Sequence, residues 1–72
     1  MKENLRRLQV LSTLIDIELF YTIGVSDNGI TLQGFFKPTT VQLILKNKFK
    51  QAPVSPNGYM ELERGNIKIT LT

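Results

Sequence analysis

The chain has 72 residues, which allows one domain over residues 1–72 because so short a chain closes a single hydrophobic core. It contains no cysteine and no histidine, which excludes disulfides, thiolate zinc sites and imidazole metal sites and predicts a cytoplasmic protein without a cofactor. Its 42% hydrophobic and 21% charged residues are typical of a globular protein, and a net charge of +3 serves solubility as readily as attraction to phosphate.

Residues 5–15 have the apolar spacing of an amphipathic helix, with a stripe wider than one sheet face requires. The stripe consists of Leu5, Leu8, Val10, Leu11, Leu14 and Ile15. Glu3 or Asn4 is expected to serve the N-terminus of the helix. Polar residues interrupt the stretch, so it predicts neither a signal sequence nor a membrane-spanning helix, and no membrane partner is expected. The extra width of the stripe indicates contact with a second chain.

Two runs of alternating apolar residues, 19–25 and 30–36, predict a pair of antiparallel strands. Between them Asn28-Gly29 can supply the positive φ angles of a type I′ hairpin turn. This turn would pair Val25 with Leu32, Ile23 with Gly34 and Tyr21 with Phe36. All of these residues would then lie on one face of the sheet.

Residues 39–50 fit a strand about as well as a helix, because their apolar residues satisfy both periods. Two local signals favour the helix. Thr39 and Gln42 have the spacing of a capping box directly after Pro38, and three lysines follow where cations stabilise a helix C-terminus. We therefore predict a second helix here.

Gly65-Asn66 predicts a second hairpin, preceded by a loop rich in proline and glycine over residues 52–58. The turn pairs Met60 with Leu71, Leu62 with Ile69 and Glu63 with Lys68. The opposite charges of the last pair support this register. The resulting order predicts an α+β two-layer sandwich, αββαββ, whose four-stranded antiparallel sheet has both helices on one face and an open face opposite.

Aromatic residues are predicted on the open face among mainly polar neighbours. The candidate partner-binding residues are Phe20, Phe35, Tyr59 and Gln33. Aromatics of this kind either contact a protein or stack on bases, or they simply cover one another across strands. The open face would carry three glutamates, Glu18, Glu61 and Glu63, against Lys68, so its charge favours a protein over nucleic acid.

Basic residues near the helix ends form the second candidate site. The nucleic-acid candidates are Arg6, Arg7, Lys46, Lys48 and Lys50. If these cations converge, they could hold a phosphate backbone. The alternative is a solvated helix end whose lysines complement the helix dipole.

Residues 11–18, Leu-Ser-Thr-Leu-Ile-Asp-Ile-Glu, resemble the helical signature of LAGLIDADG homing endonucleases, whose core also runs αββαββ. The resemblance implies that Glu18 would bind a catalytic metal and that a dimer would supply the second copy of the motif. Leu19 stands where the family has a glycine. Apart from the resemblance, a catalytic or metal site would depend on the carboxylates Asp16, Glu18, Glu61 and Glu63. Glu61 and Glu63 share a strand face, but a pair two residues apart on a strand is usually solvated, so no enzyme and no metal site are predicted.

We therefore expect a small, non-enzymatic interaction module that self-associates as a homodimer or other homo-oligomer and binds a protein. Nucleic-acid binding by the basic residues is the alternative. A small, cysteine-free composition would also suit an accessory protein of a phage or mobile element.

Overall fold

A computed structural model describes residues 1–53, 56 and 58–72 of the chain. Within these residues, the helices are α1 (Lys2–Leu14) and α2 (Pro38–Lys46), and a 3-10 turn follows α1 at Ile17–Leu19. The strands are β1 (Phe20–Ser26), β2 (Gly29–Gly34), β3 (Lys50–Gln51), β4 (Met60–Arg64) and β5 (Ile67–Leu71). Val54, Ser55 and Asn57, which belong to the predicted loop 52–58, lie outside the described residues.

The strands of the described chain form one five-stranded mixed sheet in the order β1-β2-β5-β4-β3. β2 pairs with β5 in parallel, and the other neighbours are antiparallel. The predicted αββαββ fold with four antiparallel strands is therefore wrong. Turn signals specify pairing within a hairpin but not between hairpins, and α2 carries the chain across the sheet so that β5 returns beside β2. The extra strand, β3, is only two residues long and leaves no periodic signal.

The predicted register of the first hairpin is also wrong, by two residues. Val25 pairs with Ile30 and Ile23 with Leu32, so the turn residues are Asp27 and Asn28. Because side chains alternate with a period of two, this shift keeps Ile23 and Val25 on the helix side of the sheet.

A bulge in β1 reverses the alternation at the start of the strand. Phe20 pairs with Gly34 and Thr22 with Gln33, which leaves Tyr21 as the extra residue. Phe20 is consequently buried, 8% exposed, against the core. The placement of Phe20 on the open face is therefore wrong, and Tyr21 is exposed in its place.

The second hairpin confirms the predicted pairs of Met60 with Leu71 and Leu62 with Ile69. Gly65 has a φ of 60°, as the first central residue of a type II′ turn requires. Glu63 lies opposite Lys68 as predicted, but the lysine ammonium makes its ion pair with Glu61, at 3.5 Å.

α1 packs on the sheet through a stripe that includes a polar residue. Asn4, Leu11 and Ile15 are buried, whereas Leu5 is 46% exposed. Asn4 does not cap the helix, because Met1 is the N-cap residue and the Asn4 amide reaches β1 instead. Val10 and Leu14 are also exposed, so the apolar stripe is wider than the surface it covers.

Residues 39–50 turn out to be a helix followed by a strand. α2 begins at Pro38 with Lys37 as a cap that makes no side-chain hydrogen bond, so the predicted capping box is wrong. The Asn47 amide closes the helix by donating to the Leu43 carbonyl at 2.8 Å. Lys48 then takes a φ of 71°, which turns the chain into β3.

Both helices cover the same sheet face and enclose a single core. Its buried apolar members are Leu11, Ile15, Phe20, Ile30, Leu32, Ile44, Phe49, Leu62, Ile67, Ile69 and Leu71. The opposite face stays open and carries the polar residues of each strand.

Candidate functional site

A groove of about 640 Å³ lies between α1 and the turn that joins β4 to β5. The N-terminal half of the helix and the hairpin end form its two walls. Its lining residues are Lys2, Glu3, Arg6, Arg7, Val10, Arg64, Gly65, Asn66 and Ile67. We call this feature the basic groove.

The basic groove holds the excess charge of the protein. It contains four cations and one carboxylate, a formal +3, which equals the net charge of the whole chain. The remaining residues of the sequence therefore carry equal numbers of cations and acids. A concave surface with an excess of positive charge concentrates the electrostatic field and attracts anions.

A chain of amide hydrogen bonds orients one arginine of the groove. Asn4 donates to the Ser26 carbonyl at 2.7 Å and accepts from the Asn66 amide at 2.8 Å. The Asn66 side-chain oxygen in turn accepts from the Arg7 guanidinium at 2.9 Å. Arg7 also bonds Glu3, one helical turn away, at 3.2 Å. The guanidinium is thus held at the groove by contacts on two sides.

Arg64 forms the opposite wall of the groove. Its guanidinium donates to the Asn47 carbonyl at 2.8 Å and lies 4.8 Å from the centre of the Phe49 ring. The cation therefore stabilises the carbonyl end of α2 and is itself fixed in position.

Only part of the predicted basic set meets in space. Arg6 and Arg7 line the groove, but Lys46 belongs to the last turn of α2 and Lys48 to the residues that follow it. Lys50 lies in β3 opposite Glu63, on the open face. The sequence-based set did not include Arg64, which reaches the groove because the hairpin end packs beside α1, and no local signal indicates that.

No family model, curated protein or solved structure matches this chain. The resemblance of residues 11–18 to LAGLIDADG enzymes thus stands on the motif alone. In the structure α1 ends at Leu14, before the acids, and Asp16 accepts a hydrogen bond from the Glu18 backbone within a 3-10 turn.

The described residues include no cluster of three or more acidic, histidine or cysteine side chains placed to hold a metal ion. Among the described helices, none is long and apolar enough to cross a membrane.

The two edges of the sheet differ sharply. β1 is seven residues long and contains neither a charge nor a proline. β3 has two residues, one of them Lys50. On β1, Ile23 is 40% exposed on the helix side of the sheet.

Aromatic side chains gather at the end of the sheet where β5 finishes. The Tyr21 and Phe35 rings lie 5.0 Å apart, and the Tyr21 hydroxyl is 3.3 Å from that of Thr72. Phe35 is 64% exposed, and Tyr59 and Gln33 are exposed as well. The basic groove lies at the other end of β5, so the groove cations do not surround the aromatics.

Proposed function

We propose that this protein is a non-enzymatic interaction module that assembles with a second copy of itself through the edge strand β1. The observation that supports this most directly is the contrast between the two sheet edges. An exposed edge offers unpaired N–H and C=O groups to any other strand, and proteins usually block it with charge, proline or shortness. β3 is short and basic, whereas β1 has seven uncharged residues.

The backbone pattern of β1 specifies how two copies would pair. With Asp27 and Asn28 as turn residues, Ser26 and Gly29 form the hydrogen-bonded pair next to the turn. Hydrogen-bonded pairs alternate with non-bonded ones, so Ile23 and Val25 direct their N–H and C=O groups away from β2.

A twofold axis beside Gly24 would place Ile23 opposite Val25 of the second copy. Two such antiparallel pairs would form four backbone hydrogen bonds. Gly24 would face its own counterpart in the closer, non-bonded position, where the lack of a side chain avoids crowding. The strand is thus complementary to itself.

Side chains beside the edge support the same contact. Leu5 and Ile23 are both partly exposed, and Leu5 lies on the flank of α1 opposite the basic groove. Because the groove is on the β5 side of α1, this flank faces β1. Pairing of two edges would cover apolar groups from both copies.

Such a dimer would join the two sheets and unite their open faces. Phe35, Tyr59 and Gln33 would then lie on one extended surface, and their role in binding a protein partner stays a prediction. The cytoplasmic location and an accessory role in a phage or mobile element also stay predictions.

Sedimentation velocity over a range of concentrations tests the proposal. We expect the wild-type protein to shift from monomer to dimer as its concentration rises. Ile23→Lys should remain monomeric, because a lysine at the edge must lose its hydration to permit pairing. Leu45→Lys is the matched control, since Leu45 is 41% exposed on α2 and should leave the dimer intact.

Amide hydrogen exchange locates the contact independently. The amides of Ile23 and Val25 should become protected at high concentration and exchange freely at low concentration. A wild-type protein that is strictly monomeric at high concentration, or a dimer that retains fast exchange at both amides, contradicts the proposal.

A further inference from the structure

We propose that the basic groove binds the phosphodiester backbone of a single-stranded nucleic acid. This site lies on the β5 side of α1, away from β1, so it is separate from the proposed dimer contact. Each chain would carry one complete groove.

Two cations of the groove are available to a ligand. Lys2 and Arg6 make no hydrogen bond or ion pair with any residue that the structure describes. They are four residues apart on α1, which places them on one helix face about 6 Å apart along the axis. This separation lets them contact neighbouring phosphates of one strand.

The two arginines held in place provide geometry as well as charge. Arg7 is fixed by Asn66 and Glu3, and Arg64 by its contacts with the end of α2. A guanidinium has five donors in a planar fork, so each arginine keeps donors for a phosphate oxygen. Side chains that are already ordered lose less conformational entropy when a ligand binds.

The shape of the site favours an extended nucleic-acid strand over a membrane. The cations surround a recess whose exposed apolar residue, Val10, can contact sugar carbons. A layer of lipid headgroups cannot enter such a recess, and helices that lie on membranes insert projecting apolar side chains instead. A strand can run along the groove between α1 and the hairpin.

Fluorescence anisotropy with labelled oligothymidylate and oligouridylate tests the proposal, with duplex DNA and phosphatidylserine vesicles as further arms. With four phosphate contacts, a plot of the logarithm of the binding constant against the logarithm of the salt concentration should have a slope of about −2.8. The affinity should therefore fall about fiftyfold between about 50 mM and about 200 mM salt. Binding of either oligonucleotide with this salt dependence supports the proposal.

Arg6→Gln compared with Lys37→Gln separates the groove from general basicity. Both variants lower the net charge by one, but Lys37 is the N-cap of α2 and does not line the groove. Loss of one phosphate contact should reduce the magnitude of the salt slope by about 0.7. If wild type and variant bind equally well at about 1 M salt, the variant should bind about eightfold more weakly at about 50 mM salt. Lys37→Gln should change the affinity less than twofold, on the order of experimental error.

Three results would overturn the proposal: no binding of either oligonucleotide at low salt, equal losses in the two variants, or vesicle and duplex binding that exceeds oligonucleotide binding. Ile23→Lys should bind as tightly per chain as wild type. Failure of the dimer and failure of the groove are therefore distinguishable.

Discussion

Replacing Gly29 with alanine should destabilise the protein much more than the same change at Gly65. Both glycines have positive φ angles, 153° and 60°, so each alanine incurs a backbone cost of about 1–2 kcal/mol. At Gly29 the new Cβ would also lie 2.3 Å from the Asn66 carbonyl oxygen, whereas at Gly65 nothing lies within 4 Å. Relief of such an overlap costs about 1–3 kcal/mol more.

The overlap occurs where the parallel pairing of β2 with β5 begins, because the same Asn66 carbonyl accepts the Ile30 amide at 3.0 Å. We therefore expect losses of about 2–5 kcal/mol for Gly29→Ala and about 1–2 kcal/mol for Gly65→Ala. For 72 residues, the unfolding entropy converts each kcal/mol into about 7 °C of Tm.

Urea unfolding followed by circular dichroism measures both variants at one low protein concentration, since dimer formation would add stability. Equal losses at the two positions would show that backbone conformation alone matters. The close approach of Gly29 to Asn66 would then be wrong.

Two further variants test the side chains that hold the groove. Asn4→Ala removes hydrogen bonds to Ser26 and Asn66 at a buried position, so the free energy of unfolding measured with urea should fall by about 2–3 kcal/mol. A loss below about 0.5 kcal/mol would contradict the role of this amide. Arg64→Met keeps the aliphatic stem but loses the charged hydrogen bond and the contact with the Phe49 ring, so we expect about 2 kcal/mol of destabilisation. An unchanged Tm would show that these two contacts do not stabilise the fold.

Local chemistry made the second hairpin predictable. Gly65-Asn66 occupies the turn, and the residues on either side alternate without interruption, so turn and pattern specify one register. In the first hairpin the Asn28-Gly29 signal and the alternation also agreed, but a shift of two residues leaves the alternation unchanged, so the pattern could not detect the wrong turn. Gly29 lies instead where the Asn66 carbonyl approaches the backbone closely.

The candidate site was predictable only where it lies on a single element. Arg6 and Arg7 are adjacent on α1, so their clustering follows from the sequence. Arg64 and Asn66 are nearly sixty residues away and join them through the packing of the hairpin end against the helix. Similarly, the position of Asn4 in the sequence predicts a helix cap, but its hydrogen-bond partners, Ser26 and Asn66, lie in two distant segments of the chain.

The sequence by itself determined the first helix, the second hairpin and the absence of thiol and imidazole chemistry, because these follow from composition and from contacts between near neighbours. The tertiary structure decided the strand order, the parallel pairing of β2 with β5, the burial of Phe20 and the assembly of the basic groove. Each of these depends on contacts between distant residues, whose energies no local spacing encodes. The bulge at Tyr21 shows the difference most simply, since one extra residue reversed the faces of the residues before it.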